Sequence, residues 1–171
     1  MSRAREKRPL PARPAASVSD GRRIACVVSR YHEEITGALL ASALATLAEA
    51  GWQTERVLVV DAPGAFELPL IAQGLAARDD VAAVLCFGLV LKGETEHNRF
   101  LSEACAQGLM RVALDARKPV LFGVLTCATL AQAERRARRE SEGGLDKGRE
   151  VARAALEALA ALATAAAEPH R

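Results

Sequence analysis

His97 closes the string Lys92-Gly93-Glu94-Thr95-Glu96-His97. Histidine is the side chain whose unperturbed titration lies nearest neutrality, which suits it as a residue type to moving protons. In the same string, Gly93, Glu94 and Thr95 lie between an apolar run and a helix start. Backbone amides, the Thr95 hydroxyl and the helix dipole can face an anion there, provided that the Glu94 and Glu96 carboxylates point away. Further on, Glu134, Arg135, Arg136, Arg138, Arg139 and Glu140 form a mixed-charge run. One of its arginines could hold a phosphate through two parallel hydrogen bonds. Each feature also has a plainer reading: a helix cap, a surface histidine, a solvated helix face. The glycine turn matches neither Walker A nor GxGxxG, which argues against a nucleoside triphosphate or a dinucleotide.

Such groups act together only if the chain brings them to one edge, and the hydropathy pattern describes elements that do so. Ile24 to Val28 is a β-prone run, followed by Ile35, Leu39, Leu40, Ala43, Leu44 and Leu47 at helical spacing, ending before Gly51. Val57 to Val60 predicts a second strand, and Phe66 to Ala77 a helix after the turn Ala62-Pro63-Gly64. Val81 to Leu91 is the most apolar strand, and Thr95 to Leu114 reads as a helix. Val120 to Leu125 is the fourth strand. Thr129 and Gln132 form a capping box for a helix expected to run through the arginines to about Glu142. Gly143-Gly144 breaks the chain, and Asp146 starts a last helix to about Ala166. Four apolar strands, each followed by a helix, imply an α/β protein: a three-layer α/β/α sandwich around a parallel four-stranded sheet. Ligands of such a sheet bind beyond the carboxyl ends of its strands. That edge holds Ser29-Arg30-Tyr31-His32, Ala62 to Glu67, Lys92 to His97, and Thr126-Cys127.

Composition narrows the classes further. At 171 residues, 50% hydrophobic and 26% charged, the chain fits one soluble globular domain. The Val81 to Leu91 run is too short for a membrane helix, which needs about 20 residues. The net charge of +2 hides an asymmetry. Residues 1–23 hold seven basic and two acidic side chains, leaving sixteen basic and nineteen acidic elsewhere, so the body does not look like a nucleic-acid binder. Residues 1–22 read as a disordered basic Pro/Arg/Ala-rich tail, with a transit peptide or polyanion-binding arm as the alternatives. The folded domain is expected over residues 23–166, followed by a short tail, 167–171. Cys26, Cys86, Cys105 and Cys127 lack CxxC spacing and read as small core residues in a reducing cytoplasm. His32, His97 and His170 add no ligand cluster, so no metal site is expected.

Four strings occur in a telling order: Pro63-Gly64-Ala65-Phe66-Glu67-Leu68-Pro69, Lys92 to His97, Pro119-Val120-Leu121-Phe122-Gly123-Val124-Leu125-Thr126, and Asp146-Lys147-Gly148. Over about Arg23 to Leu162 the chain resembles the 6,7-dimethyl-8-ribityllumazine synthase family. The resemblance implies a flavodoxin-like fold and a transferase of riboflavin biosynthesis. Its reaction condenses 5-amino-6-(D-ribitylamino)uracil with 3,4-dihydroxy-2-butanone 4-phosphate, releasing phosphate and water, with no metal or organic cofactor. It also implies homopentamers, in some members a sixty-subunit icosahedral shell, with sites between subunits and association with riboflavin synthase.

Carried onto this sequence, the resemblance gives Tyr31 the place of an aromatic that stacks on the pyrimidine. Ala65, Phe66 and Glu67 match the segment holding the ribityl chain, and Leu89, Val90 and Leu91 the strand end whose backbone reads the pyrimidine edge. Phe122 would close the ring pocket from the adjacent subunit. Glu94 and Thr95 match the phosphate-side turn, Arg136 rather than Arg135 the phosphate-gripping arginine, and His97 the catalytic histidine. Lys147 matches the lysine of an Asn-Lys-Gly string, with Asp146 in place of asparagine and about three extra residues before it. An acid often found two positions after the histidine is Arg99 here, which leaves Glu96 or a carboxylate from elsewhere as the partner of His97. Two rival readings are a signalling receiver, which would need an acidic pair after the first strand and an Asp ending the third, where this chain has Val90-Leu91-Lys92-Gly93, and a noncatalytic lumazine- or flavin-binding shell protein.

Overall fold

The computed structural model describes residues 21–167; the N-terminal segment expected to be disordered and the extreme C-terminus lie, but for Gly21, Arg22 and Ala167, outside the described residues. Four strands, β1 (Arg23–Ser29), β2 (Val57–Ala62), β3 (Val81–Leu91) and β4 (Val120–Cys127), form one parallel sheet in the order β2-β1-β3-β4. Five α-helices connect and follow them: α1 (Glu33–Glu49), α2 (Leu68–Ala76), α3 (His97–Ala116), α4 (Leu130–Ala137) and α5 (Lys147–Ala167). This is the expected sandwich with flavodoxin-like strand order. Among the described residues no helix is long and apolar enough to cross a membrane.

Strand side chains alternate between two cores. Ile24, Cys26 and Val28 face Leu39, Leu47, Ala152, Ala155 and Leu159 of α1 and α5, with Ala133 and Ala137 of α4 on the same side. Ala25 and Val27 face Leu68, Ala72 and Leu75 of α2 and Cys105, Leu109 and Val112 of α3. Val81 to Val90 are all buried, as a central strand covered on both faces requires. Each large side chain so buried contributes about 1.5–3 kcal/mol, and this, rather than helix propensity, holds the layers together. The edge strands are less uniform than expected: Val59 and Asp61 of β2 and Phe122 and Thr126 of β4 are exposed.

Local chemistry sets the helix ends. Glu33 and Glu34 occupy the first turn of α1, where the helix dipole favours negative charge. The Thr129 hydroxyl accepts from the Gln132 amide at 3.3 Å, as a capping box requires, but the Gln132 side chain accepts from the Ala128 amide, at 3.0 Å, rather than from that of the N-cap Thr129. The helix it opens is shorter than expected. It stops at Ala137, and after extended Arg138 and Arg139 the chain makes a single 3-10 turn, Glu140–Glu142. The returning chain stops it: the Gly144 amide donates to Arg139 O and the Asp146 amide to Arg138 O, both at 2.9 Å, taking acceptors a longer helix would use. The helix expected from Phe66 likewise begins as a 3-10 turn, Ala65–Glu67, before α2.

Candidate active site

Because the strands are parallel, all their carboxyl ends lie at one edge, and the strand order reverses direction between β1 and β3. The loop after β1 carries Tyr31, exposed over 70% of its surface. The loop after β2 carries buried Ala65, exposed Phe66 and half-buried Glu67. These loops meet: a Cβ added at Gly64 would lie 3.0 Å from Glu67 Oε2 and 3.4 Å from Tyr31 Cδ2. A flat apolar ring and a carboxylate thus converge over one stretch of glycine backbone. Such a pair can stack on a heterocycle and accept hydrogen bonds from hydroxyls.

Behind this turn, the Cys105 thiol of α3 donates to Ala65 O at 2.9 Å. Burial pushes that thiol up, and the nearby Glu67 charge adds to the effect. Leu89 and Val90 are buried and Leu91 is half-buried at the end of β3, where they pair in register with Leu125, Thr126 and Cys127 of β4. Phe122 is elsewhere. It pairs in register with Cys86, five residues before the end of β4, and is not brought to the rim by its own chain.

Exposed Glu94 and Thr95 form the turn after β3, and the His97 amide donates to the Thr95 hydroxyl at 3.4 Å. His97 is the first residue of α3 and is exposed. Among the described residues no side chain hydrogen-bonds its imidazole. Arg99 turns instead to Glu103, donating to its carboxylate at 2.9 Å. At the end of β4 the Thr126 hydroxyl donates to Ser102 Oγ of α3 at 3.0 Å, a tie between two site elements that sequence reading missed. A hydroxyl at a strand end was its only signal.

Arg136 and Arg135 sit in the last turn of α4 but differ in setting: Arg135 is exposed and Arg136 half-buried. Arg136 donates to Gln132 O at 3.1 Å, and its charge reaches Cys127 at the end of β4. There burial pushes the thiol up and the guanidinium draws it part of the way back. Lys147, the first residue of α5, is half-buried and pairs with Glu150 at 2.5 Å. Two cations therefore occupy adjacent helix ends, linked by the chain that runs from α4 to α5. A groove of about 180 Å³ lined by Ser29, Arg30, Glu33, Thr36 and Asp61 lies beside this rim but contains none of the residues assigned above.

The strand order defines a flavodoxin-like α/β protein, a class whose ligands bind at the strand ends. Comparison with known sequences is more specific. Residues 21–163 match the family described as 6,7-dimethyl-8-ribityllumazine synthase. Relatives of that name include proteins from Frankia casuarinae, 49% identical over 83% of this chain and 86% of the relative, and Salinibacter ruber, 45% identical over 82% and 88%. A protein from Caulobacter vibrioides named 6,7-dimethyl-8-ribityllumazine synthase 1 is 46% identical over 82% of this chain and 90% of its own. The chain belongs to the 6,7-dimethyl-8-ribityllumazine synthase family, a family of transferase enzymes.

Proposed function

We propose that this chain condenses 5-amino-6-(D-ribitylamino)uracil with 3,4-dihydroxy-2-butanone 4-phosphate to form 6,7-dimethyl-8-ribityllumazine. The observation that carries the reading beyond family membership is the convergence of Tyr31 and Glu67 over Gly64, a place for a ring and for hydroxyls at the strand ends. Tyr31 stacks on the pyrimidine, the Ala65 to Glu67 turn takes the ribityl chain, and the backbone of Leu89, Val90 and Leu91 reads the ring edge. Arg136 and the Glu94-Thr95 turn hold the phosphate, and Lys147 supplies a further substrate contact. The 5-amino group attacks the ketone and water leaves to give an imine. Removal of a proton from the carbon skeleton then expels phosphate, and the ribitylamine closes the ring with loss of water. His97 moves these protons, and Arg136 stabilises the departing phosphate as a fixed charge.

The chain works as a homopentamer or a sixty-subunit shell in the cytoplasm, where association with riboflavin synthase would hand on the product. Two features support a site shared between subunits. Tyr31, Phe66 and Phe122 are exposed in the single chain, and Phe122 lies away from its own rim. Leu70, Phe100, Met110 and Leu114 expose further apolar surface on α2 and α3. No cofactor is required by these steps. The test is to mix purified protein with both substrates and follow lumazine absorbance and phosphate release together. Equal amounts of both products are expected; binding of lumazine or flavin without turnover would replace this reading with that of a noncatalytic shell protein.

A further inference from the structure

The arginine assigned to the phosphate stands in the last turn of α4, and one buried side chain lies where that helix end meets the start of α5. Asp146 is only 6% exposed and adopts a left-handed backbone (φ 47°), which aspartate and asparagine accept more readily than most residues. Its Oδ1 accepts a hydrogen bond from Ser42 Oγ on α1 and another, at 3.2 Å, from the Arg149 amide in the first turn of α5. Its own amide donates to Arg138 O at 2.9 Å, while the adjacent Leu145 amide donates to Arg135 O at 2.9 Å. These two bonds bracket Arg136. The start of α5 also presses directly on α1: a Cβ at Gly148 would fall 2.2 Å from Leu39 O.

We propose that Asp146 is a positioning residue that places Arg136 on the phosphate. It does so by pinning the end of α4 and the start of α5 to the buried face of α1. The inference rests on the reading of Arg136 as a phosphate ligand. Tyr31 and Glu67 stand on the loops after β1 and β2, and none of the junction's hydrogen bonds described above involves them. Loosening the junction therefore displaces Arg136 and leaves the ring and ribityl contacts in place.

The experiment is steady-state kinetics on the full chain for Asp146→Ala, Asp146→Asn, Ser42→Ala and Arg136→Ala, with inorganic phosphate as competing inhibitor. Asp146→Ala is expected to raise KM for the butanone phosphate and Ki for inorganic phosphate together by about tenfold, the scale of losing a buried hydrogen bond. KM for the ribitylaminouracil is expected to stay within about twofold. Asp146→Asn keeps an oxygen acceptor and a tolerated backbone, and restores both constants. Ser42→Ala moves them in the same direction by about threefold and carries the test if Asp146→Ala does not fold. If Arg136→Ala leaves the butanone phosphate KM unchanged, the phosphate reading itself is wrong. If Arg136→Ala raises it while Ser42→Ala and any folded Asp146→Ala do not, or raise both substrate KM values equally, Asp146 is structural and the proposal is overturned.

Discussion

His97 and Arg136 make different kinds of contribution, and the difference is measurable. General acid-base catalysis is worth about 10² to 10⁴ in rate, whereas holding two reactants in place can reach an effective molarity of about 10⁵ to 10⁸ M. His97→Ala is thus expected to lower kcat by about two to four orders of magnitude without reaching the uncatalysed rate, measured with both substrates saturating. Retention of full kcat would remove His97 from proton transfer. Arg136→Ala is expected to raise KM for the phosphorylated substrate, and Arg135→Ala, on an exposed neighbour, to leave it near wild type. A larger effect at Arg135 would reverse the assignment. Sequence could favour Arg136 only by its place in a motif. The structure adds a physical distinction, half-burial and a charge felt at Cys127.

Helices and strands were legible wherever a single rule governed them. The buried run Val81 to Leu91 is a strand along its whole length, and the Ile35, Leu39, Ala43 and Leu47 stripe is the buried face of α1. The end of α4 was not legible, because Arg138 and Arg139 carry no helix-breaking chemistry. What stops that helix is the chain coming back from Gly144 and Asp146. The Ser42 contact with Asp146 was equally hidden, since a serine on a helix gives no sign of a partner 104 residues away. Tight packing between elements gives its own test at Gly123 of β4, where a Cβ would lie 2.6 Å from Cys86 O and 2.8 Å from the Phe87 ring. Gly123→Ala must push β4 from β3 and is expected to lower stability by about 1–3 kcal/mol, read from thermal or denaturant unfolding. An unchanged midpoint would mean that the edge strand yields freely.

The molecule as a whole is closed inside and open outside. Its four cysteines are free and buried, and burial pushes Cys26 up to about 12, so thiolate is scarce at neutral pH. In native protein all four thiols are expected to resist a thiol reagent and to react promptly after denaturation, as colorimetric titration would show. Rapid native labelling would contradict the packed core. The outer face of α3 is the opposite, with Phe100, Met110 and Leu114 each more than 60% exposed. Met110→Glu with Leu114→Glu is expected to reduce the assembly seen by sedimentation or light scattering; no change in mass would move the subunit contact off α3. The strand order has a further consequence for how the chain is made. β1 has its β2 neighbour early, but its other edge, where Val27 meets Cys86, stays bare until β3 has been synthesised. The nascent chain thus exposes an apolar strand edge through the making of two helices, a period in which holding by a chaperone, rather than final stability, would decide how much protein reaches the native state.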